Sequence, residues 1–225
     1  MVTRRRPVIA IDGPVGAGKS TVARILAQRL GYRYVDTGAM YRSVAWQAER
    51  LGIDLRAEDE VAEVARSLRV EFVPTPAGQR VVVDGTDVTE AIRSPRVSEG
   101  ASIVSAYPAV RRAMVALQRR MGADGGVVME GRDIGTVVFP DAEVKIFLDA
   151  SLKERARRRY EELRARGEGA TFEKVLAALR ERDQRDSTRR HSPLRAAPDA
   201  LVVDSTHLTV DEVVERIQRY LAERR

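Results

Sequence analysis

The chain has 225 residues, 44% hydrophobic and 32% charged, enough apolar material for one sizeable core with room for a small subdomain. Its formal net charge is +6, carried mostly by arginine, so anionic partners are expected, and forked guanidinium groups favour phosphate among them. With no cysteine and only two histidines, His191 and His207, the sequence excludes disulfides, thiolate zinc sites, cysteine nucleophiles and multi-histidine metal centres.

The basic stretch Met1 to Pro7 precedes an apolar run, Val8 to Ile11, that is too short for a signal peptide. No segment approaches the roughly 20 apolar residues of a membrane span, so a soluble cytoplasmic protein is expected. Val8 to Ile11 is instead a short buried strand ending in Asp12-Gly13. Lys19 to Leu30 has helical spacing, with Val22, Ile25, Leu26 and Leu30 on one side, and Gly31 ends it. Tyr32 to Val35 predicts a second strand, and Gly38 to Leu51 a helix stopped by Gly52. Further along, Gly126 to Met129, Val144 to Leu148 and Leu201 to Val203 predict buried strands separated by helical stretches. Strand and helix in alternation argue for an α/β fold with a parallel sheet covered on both faces.

One region breaks that rhythm. Val70 to Thr89 alternates short apolar runs with turn residues, Pro74, Pro76 and Gly78, then Asp84-Gly85, and predicts an antiparallel meander. Helices are expected around Ser94 to Ala106 and Ala109 to Met121. Residues 65–105 therefore form an expected insertion on a single domain of residues 1–225. The Arg- and Glu-rich segment Lys153 to Arg190 keeps enough apolar positions, among them Val175 and Leu179, for a pair of solvated helices.

The chemistry begins at Gly13-Pro14-Val15-Gly16-Ala17-Gly18-Lys19-Ser20, followed by Thr21. A glycine, four residues and then Gly-Lys-Ser, between a strand and a helix, is a phosphate-binding loop. Glycines let backbone N–H groups converge on phosphate oxygens, and the helix N-terminus adds its positive dipole end. Lys19 is expected to bridge the β- and γ-phosphates of ATP and Ser20 to ligate Mg2+. Asp12, just before the loop, either assists the metal or caps the turn. Val144 to Asp149 reads equally as a metal-assisting strand or as plain core. The loop alone does not choose among motors, switches and kinases, but an Asn-Lys-x-Asp guanine-recognition element is missing from the sequence.

Three further segments carry a resemblance: Asp36-Thr37-Gly38-Ala39-Met40-Tyr41-Arg42, Glu130-Gly131-Arg132-Asp133-Ile134-Gly135-Thr136-Val137-Val138-Phe139-Pro140 and Glu181-Arg182-Asp183-Gln184-Arg185-Asp186. Together with the loop and the insertion, they resemble the signature segments of bacterial cytidylate kinases. The resemblance implies the P-loop nucleoside monophosphate kinase fold: a parallel sheet core, an inserted antiparallel subdomain at 65–105 that binds the monophosphate, and a helical lid with acceptor-binding helices at 153–190. It implies transfer of the γ-phosphoryl group of ATP, with Mg2+, to CMP or dCMP. Arg42 and Arg132 match positions that clamp the monophosphate, and Thr37 stands near the acceptor. Ser102, Arg111 and Asp133 match positions that read cytosine, where a carboxylate can accept from the exocyclic amine. Arg182 and Asp186 match ribose contacts and Arg189 a phosphate contact; the three lie within about 60° of one helical face. Arg158 and Arg159 resemble lid arginines over ATP, with Arg155 and Arg157 as neighbours that leave the choice open. Glu130 stands where the family has Asp or Glu and is expected to orient metal-bound water. Adenylate, uridylate or guanylate kinases, a nucleic-acid-dependent NTPase and a non-catalytic nucleotide-binding module are the rival readings. No nucleic-acid or membrane partner is expected, and a monomer is the default.

Overall fold

A computed structural model of the chain describes residues 6–75 and 78–223. In chain order the elements are β1 (Val8–Asp12), α1 (Lys19–Leu30), β2 (Arg33–Asp36), α2 (Thr37–Arg50) and α3 (Glu58–Ser67). There follow β3 (Val70–Thr75), β4 (Gly78–Val83), β5 (Thr86–Asp87), α4 (Pro95–Val104) and α5 (Pro108–Gly122). The last third holds β6 (Val127–Gly131), β7 (Val144–Asp149), α6 (Leu152–Ala165), α7 (Phe172–Thr188), β8 (Leu201–Asp204) and α8 (Val210–Ala222). By internal contacts the chain divides into two units, residues 6–34 with 124–223, and residues 35–123.

The first unit is built on a five-stranded sheet in the order β2-β6-β1-β7-β8. β1 pairs in parallel with both β6 and β7, and β7 with β8. The apolar runs of β1, β6 and β7 are buried because helices cover them: Ile9, Ile11, Val128, Ile146 and Leu148 share one core with Val22 and Leu26 of α1 and with Val213, Val214, Ile217 and Leu221 of α8. Thr209 and Glu212 form a reciprocal capping box that starts α8. A separate apolar cluster joins α6 to α7 through Ala156, Leu163, Val175 and Leu179, with Val15 of the phosphate loop packed against it.

The second unit contains α2 to α5 and the antiparallel sheet β3-β4-β5. Asp84 and Gly85, both at positive φ, close the β4–β5 hairpin. The expected meander is thus an antiparallel sheet; Pro76 of its predicted turn lies outside the described residues. α2 begins one residue before the predicted start because Asp36 caps it, accepting from the Ala39 N–H at 2.9 Å. α3 was not singled out in the sequence, since Glu58-Asp59-Glu60 opens it with charge before the buried face of Val61, Ala62, Val64 and Ala65. Ile134–Val138, an apolar run, is a π-helical turn. Among the described residues no helix is long and apolar enough to cross a membrane.

Candidate functional site

The phosphate loop leaves β1 at Asp12 and enters α1 at Lys19. Gly13 has φ +149° and lies so close to β7 that a Cβ would stand 1.9 Å from the Leu148 carbonyl oxygen, which explains why no side chain is tolerated there. The Lys19 ammonium donates to the Pro14 carbonyl at 2.7 Å, curling over the loop it belongs to. Burial, and then the charge of Arg132, push Lys19 below the usual lysine range, while Glu130 and Asp12 pull the other way. An exposed Ser20 hydroxyl follows it, with Thr21 half-buried behind.

Asp12 is buried, and its two oxygens accept from the Ile134 and Gly135 N–H groups at 2.8 and 2.7 Å. These donors belong to the Ile134–Val138 turn, 122 residues away in the chain, and not to the phosphate loop that Asp12 precedes. Burial pushes its carboxyl up to about 7 against the pull of those donors, and Asp133 adds to the rise. Asp149 turns back on the chain, accepting from the Ala150 N–H at 2.8 Å.

α6 lies directly on the loop. The buried Arg155 donates to the Val15 carbonyl at 3.3 Å, to Ala150 at 2.8 Å and to Asp183 of α7 at 2.7 Å. Arg158 donates to the Ala17 carbonyl at 3.4 Å and to Ser205. Arg159 pairs with Glu162, and Arg157 with Glu154 and Glu161, along the helix surface. Of the two expected lid arginines, the structure brings Arg158 to the loop and leaves Arg159 on the helix.

Next to the loop a carboxylate is ringed by arginines. Arg132, after β6, donates from Nε to Asp186 at 2.9 Å. Burial would raise the Asp186 pKa, but Arg132, Arg182 and Arg189 hold it below the usual carboxylate range. Arg182 and Asp186 lie on α7, but Arg189, expected on the same helical face, stands just past the helix end with an extended backbone (φ −58°, ψ 139°). Arg132, Arg182 and Arg189 nevertheless all act on the one carboxylate. That group extends to the loop, because Arg132 and Arg182 both depress Lys19. Glu130 is buried and accepts from the Tyr34 hydroxyl at 2.6 Å; Asp133 is buried two residues on from Gly131. No trio of His, Cys, Asp or Glu able to hold a metal ion occurs among the described residues. The exposed Ser20 hydroxyl and Glu130 are hard oxygen donors of the kind Mg2+ accepts when phosphates and water complete its shell.

The second unit carries the remaining predicted residues. Thr37 is buried at the start of α2, and Arg42, one turn on, donates to Asp36 at 2.8 Å. Arg111 of α5 is buried, donates to the Ser105 carbonyl at 3.2 Å and lies over the Tyr41 ring at 5.6 Å. Ser102 of α4 is buried with its hydroxyl unpaired among the described residues, a group that asks for a partner.

Sequence reasoning missed Lys145, Asp183 and Ser205. A lysine within the apolar run Val144-Lys145-Ile146 signals a buried charge, and Lys145 indeed donates to Pro140 and to Asp199. Asp183 and Ser205 gave no such signal; their partners, Arg155 and Ala17, lie far away in the chain.

A glycine-rich loop on a parallel sheet, a buried lysine at its helix start and an adjoining arginine cluster define a P-loop phosphotransferase. Residues 9–223 match the family model described as cytidylate kinase. The chain is 52% identical over 217 residues to the cytidylate kinase of Geobacter sp. strain M21, covering 96% of this chain and 93% of that one. It is also 52% identical over 221 residues to the cytidylate kinase of Geobacillus kaustophilus, at 98% and 99% coverage. The chain belongs to the cytidylate kinase family and is an enzyme of the nucleoside monophosphate kinase type. A solved structure of an uncharacterized protein from Eubacterium ventriosum shares the fold, with a TM-score of 0.52 at 13% identity over 96% of this chain and 99% of that one.

Proposed function

We propose that this enzyme transfers the γ-phosphoryl group of ATP to CMP or dCMP, giving CDP or dCDP and ADP, as a cytoplasmic monomer. The observation that carries the reading is that Arg132 and Arg182, two of the arginines around Asp186, also act on Lys19, which sets a triphosphate loop and a second anion-binding group side by side in one unit.

In this reading residues 13–21 hold the triphosphate, with Arg158 and Arg159 on the lid formed within residues 153–190. Arg42 and Arg132 clamp the acceptor phosphate with Arg189 near the phosphates, and Arg182 and Asp186 take the ribose. Thr37 stands near the acceptor, and Ser102, Arg111 and Asp133 read the base, with residues 65–105 as the monophosphate-binding subdomain. The unpaired Ser102 hydroxyl supports a hydrogen-bonding ligand there.

The acceptor's ionised phosphate oxygen attacks the γ-phosphorus in line as the bond to the β-bridging oxygen breaks, and that oxygen leaves on ADP. The attacking oxygen carries no proton to remove, so positioning and charge neutralisation suffice without a general base. Ser20, and Glu130 through water, would hold Mg2+, which would supply part of that charge neutralisation. Lys19 leaves the Pro14 carbonyl for the phosphates, regaining full charge as it does.

Phosphorus NMR of the enzyme with Mg-ATP and CMP tests the reaction. Paired growth of the CDP and ADP β-phosphorus signals is expected. Release of inorganic phosphate alone would overturn the proposal.

A further inference from the structure

Among the buried charged groups of the first unit that have no part in the chemistry just described are Asp12 at the end of β1 and Lys145 in β7. Both act on one short stretch of chain. After β6 the backbone passes Arg132 and Asp133 and enters the π-helical turn Ile134–Val138, closed by the Val137 and Val138 N–H groups on the Asp133 carbonyl and by Phe139 N–H on that of Ile134. The first N–H groups of such a turn have no acceptor inside it. Asp12 takes two of them, one on each carboxylate oxygen. Beyond the far end, the Lys145 ammonium donates to the Pro140 carbonyl and to both oxygens of Asp199, at 3.0 and 2.8 Å.

Acceptors thus stand at the N-terminal end of the turn and a donor beyond its C-terminal end, each matching the peptide groups left without partners there. Packing closes the arrangement. A Cβ on Gly135 would meet the Lys145 stem at 3.2 and 3.3 Å and an Asp12 oxygen at 3.4 Å, so the turn is held between the two side chains with no slack. π-helical turns are rare and recur at functional positions, where they redirect the neighbouring chain. Here the residues immediately before the turn are Arg132 and Asp133.

We infer that Asp12 and Lys145 are positioning residues, which clamp the 134–140 turn at its two ends and thereby fix the aim of Arg132 and Asp133 at the acceptor nucleotide. The inference rests on the proposed acceptor role of those two residues. It assigns Asp12 to backbone hydrogen bonding rather than to the metal, although it directly precedes the phosphate loop. It also makes a lysine near the start of a core strand matter to acceptor selection.

The test compares Lys145→Met, Asp12→Asn and the double variant with the wild type. KM and kcat are measured for each nucleotide with the other saturating, and CMP binding is measured directly by calorimetry. Lys145→Met should raise KM and Kd for CMP about tenfold, since small misplacements are costly in such sites. The CMP-to-UMP ratio of kcat/KM should narrow, while KM for ATP stays within twofold. Asp12→Asn, which turns one acceptor oxygen into a donor facing an N–H, should raise KM and Kd for CMP more strongly. Only Lys145→Met serves for the comparison with ATP, because Asp12 also supports the charge of Lys19. The double variant should be no worse than Asp12→Asn, because both act through one turn. Should either core variant fail to fold, Asp199→Asn loosens the same ammonium from the surface and should give a smaller rise in KM for CMP. Unchanged CMP affinity in a folded Lys145→Met, equal losses for ATP and CMP in that variant, or additive effects would overturn the inference. A wild type that neither binds nor phosphorylates CMP would overturn the proposed function instead, and the clamp would then be judged by the same comparison on the monophosphate it does use.

Discussion

Lys19 is dry, flanked by Arg132 and Arg182, and tied for the moment to a carbonyl of its own loop. A lysine so depressed takes up a proton when an anion arrives to pay for its charge. Binding of Mg-ATP near pH 8 should therefore draw protons from solution, seen by calorimetry in buffers of different ionisation enthalpy. Lys19→Met should abolish the uptake, and proton release by the wild type would contradict the assignment. Lys19→Ala should lower turnover roughly 10²–10³-fold, as loss of one charge-stabilising donor does, without unfolding the chain. Asp186 offers a pH prediction. Its folded pKa lies below the unfolded value of 3.8, so its stabilisation is complete above that pH and disappears as pH falls through the folded pKa. Asp12 has the opposite sign: with a folded value of about 7, its contribution is present below pH 3.8 and lost as pH rises through 7. Melting temperature between pH 4 and 7 should accordingly fall less with pH in Asp12→Asn than in the wild type.

At the scale of elements, α6 and α7 are joined by their own small apolar cluster rather than by the main core. Leu179→Ala should cost about 2–5 kcal/mol, the range for a buried leucine. Hydrogen exchange should rise first in α6 and α7, and a uniform rise over β1, β6 and β7 would contradict the separateness of the cluster. The main elements were legible because each carries a local pattern: β-branched runs for β1, β6 and β7, helical spacing for α1, turn residues between β3, β4 and β5. The turn at Ile134–Val138 was not, since its sequence is apolar and β-branched and its conformation is held by Asp12 and Lys145. Asp12 lies 122 residues from Ile134 along the chain. No local pattern encodes such a contact.

For the whole molecule the same division holds. The phosphate loop could be read from eight consecutive residues, and helical spacing singled out Arg182, Asp186 and Arg189, although Arg189 lies past the end of α7. That Arg132 completes the ring, 54 residues away from Asp186, required the fold. So did the distinction between Arg155, buried under the loop, and Arg158, which reaches it from the helix. The central claim is acceptor choice, and the direct measurement is ADP release from Mg-ATP with CMP, dCMP, UMP, AMP and GMP offered in turn, and with a polynucleotide. The account predicts that CMP and dCMP are preferred and that polynucleotide has no effect. Equal rates on all the monophosphates, or stimulation by polynucleotide alone, would contradict it.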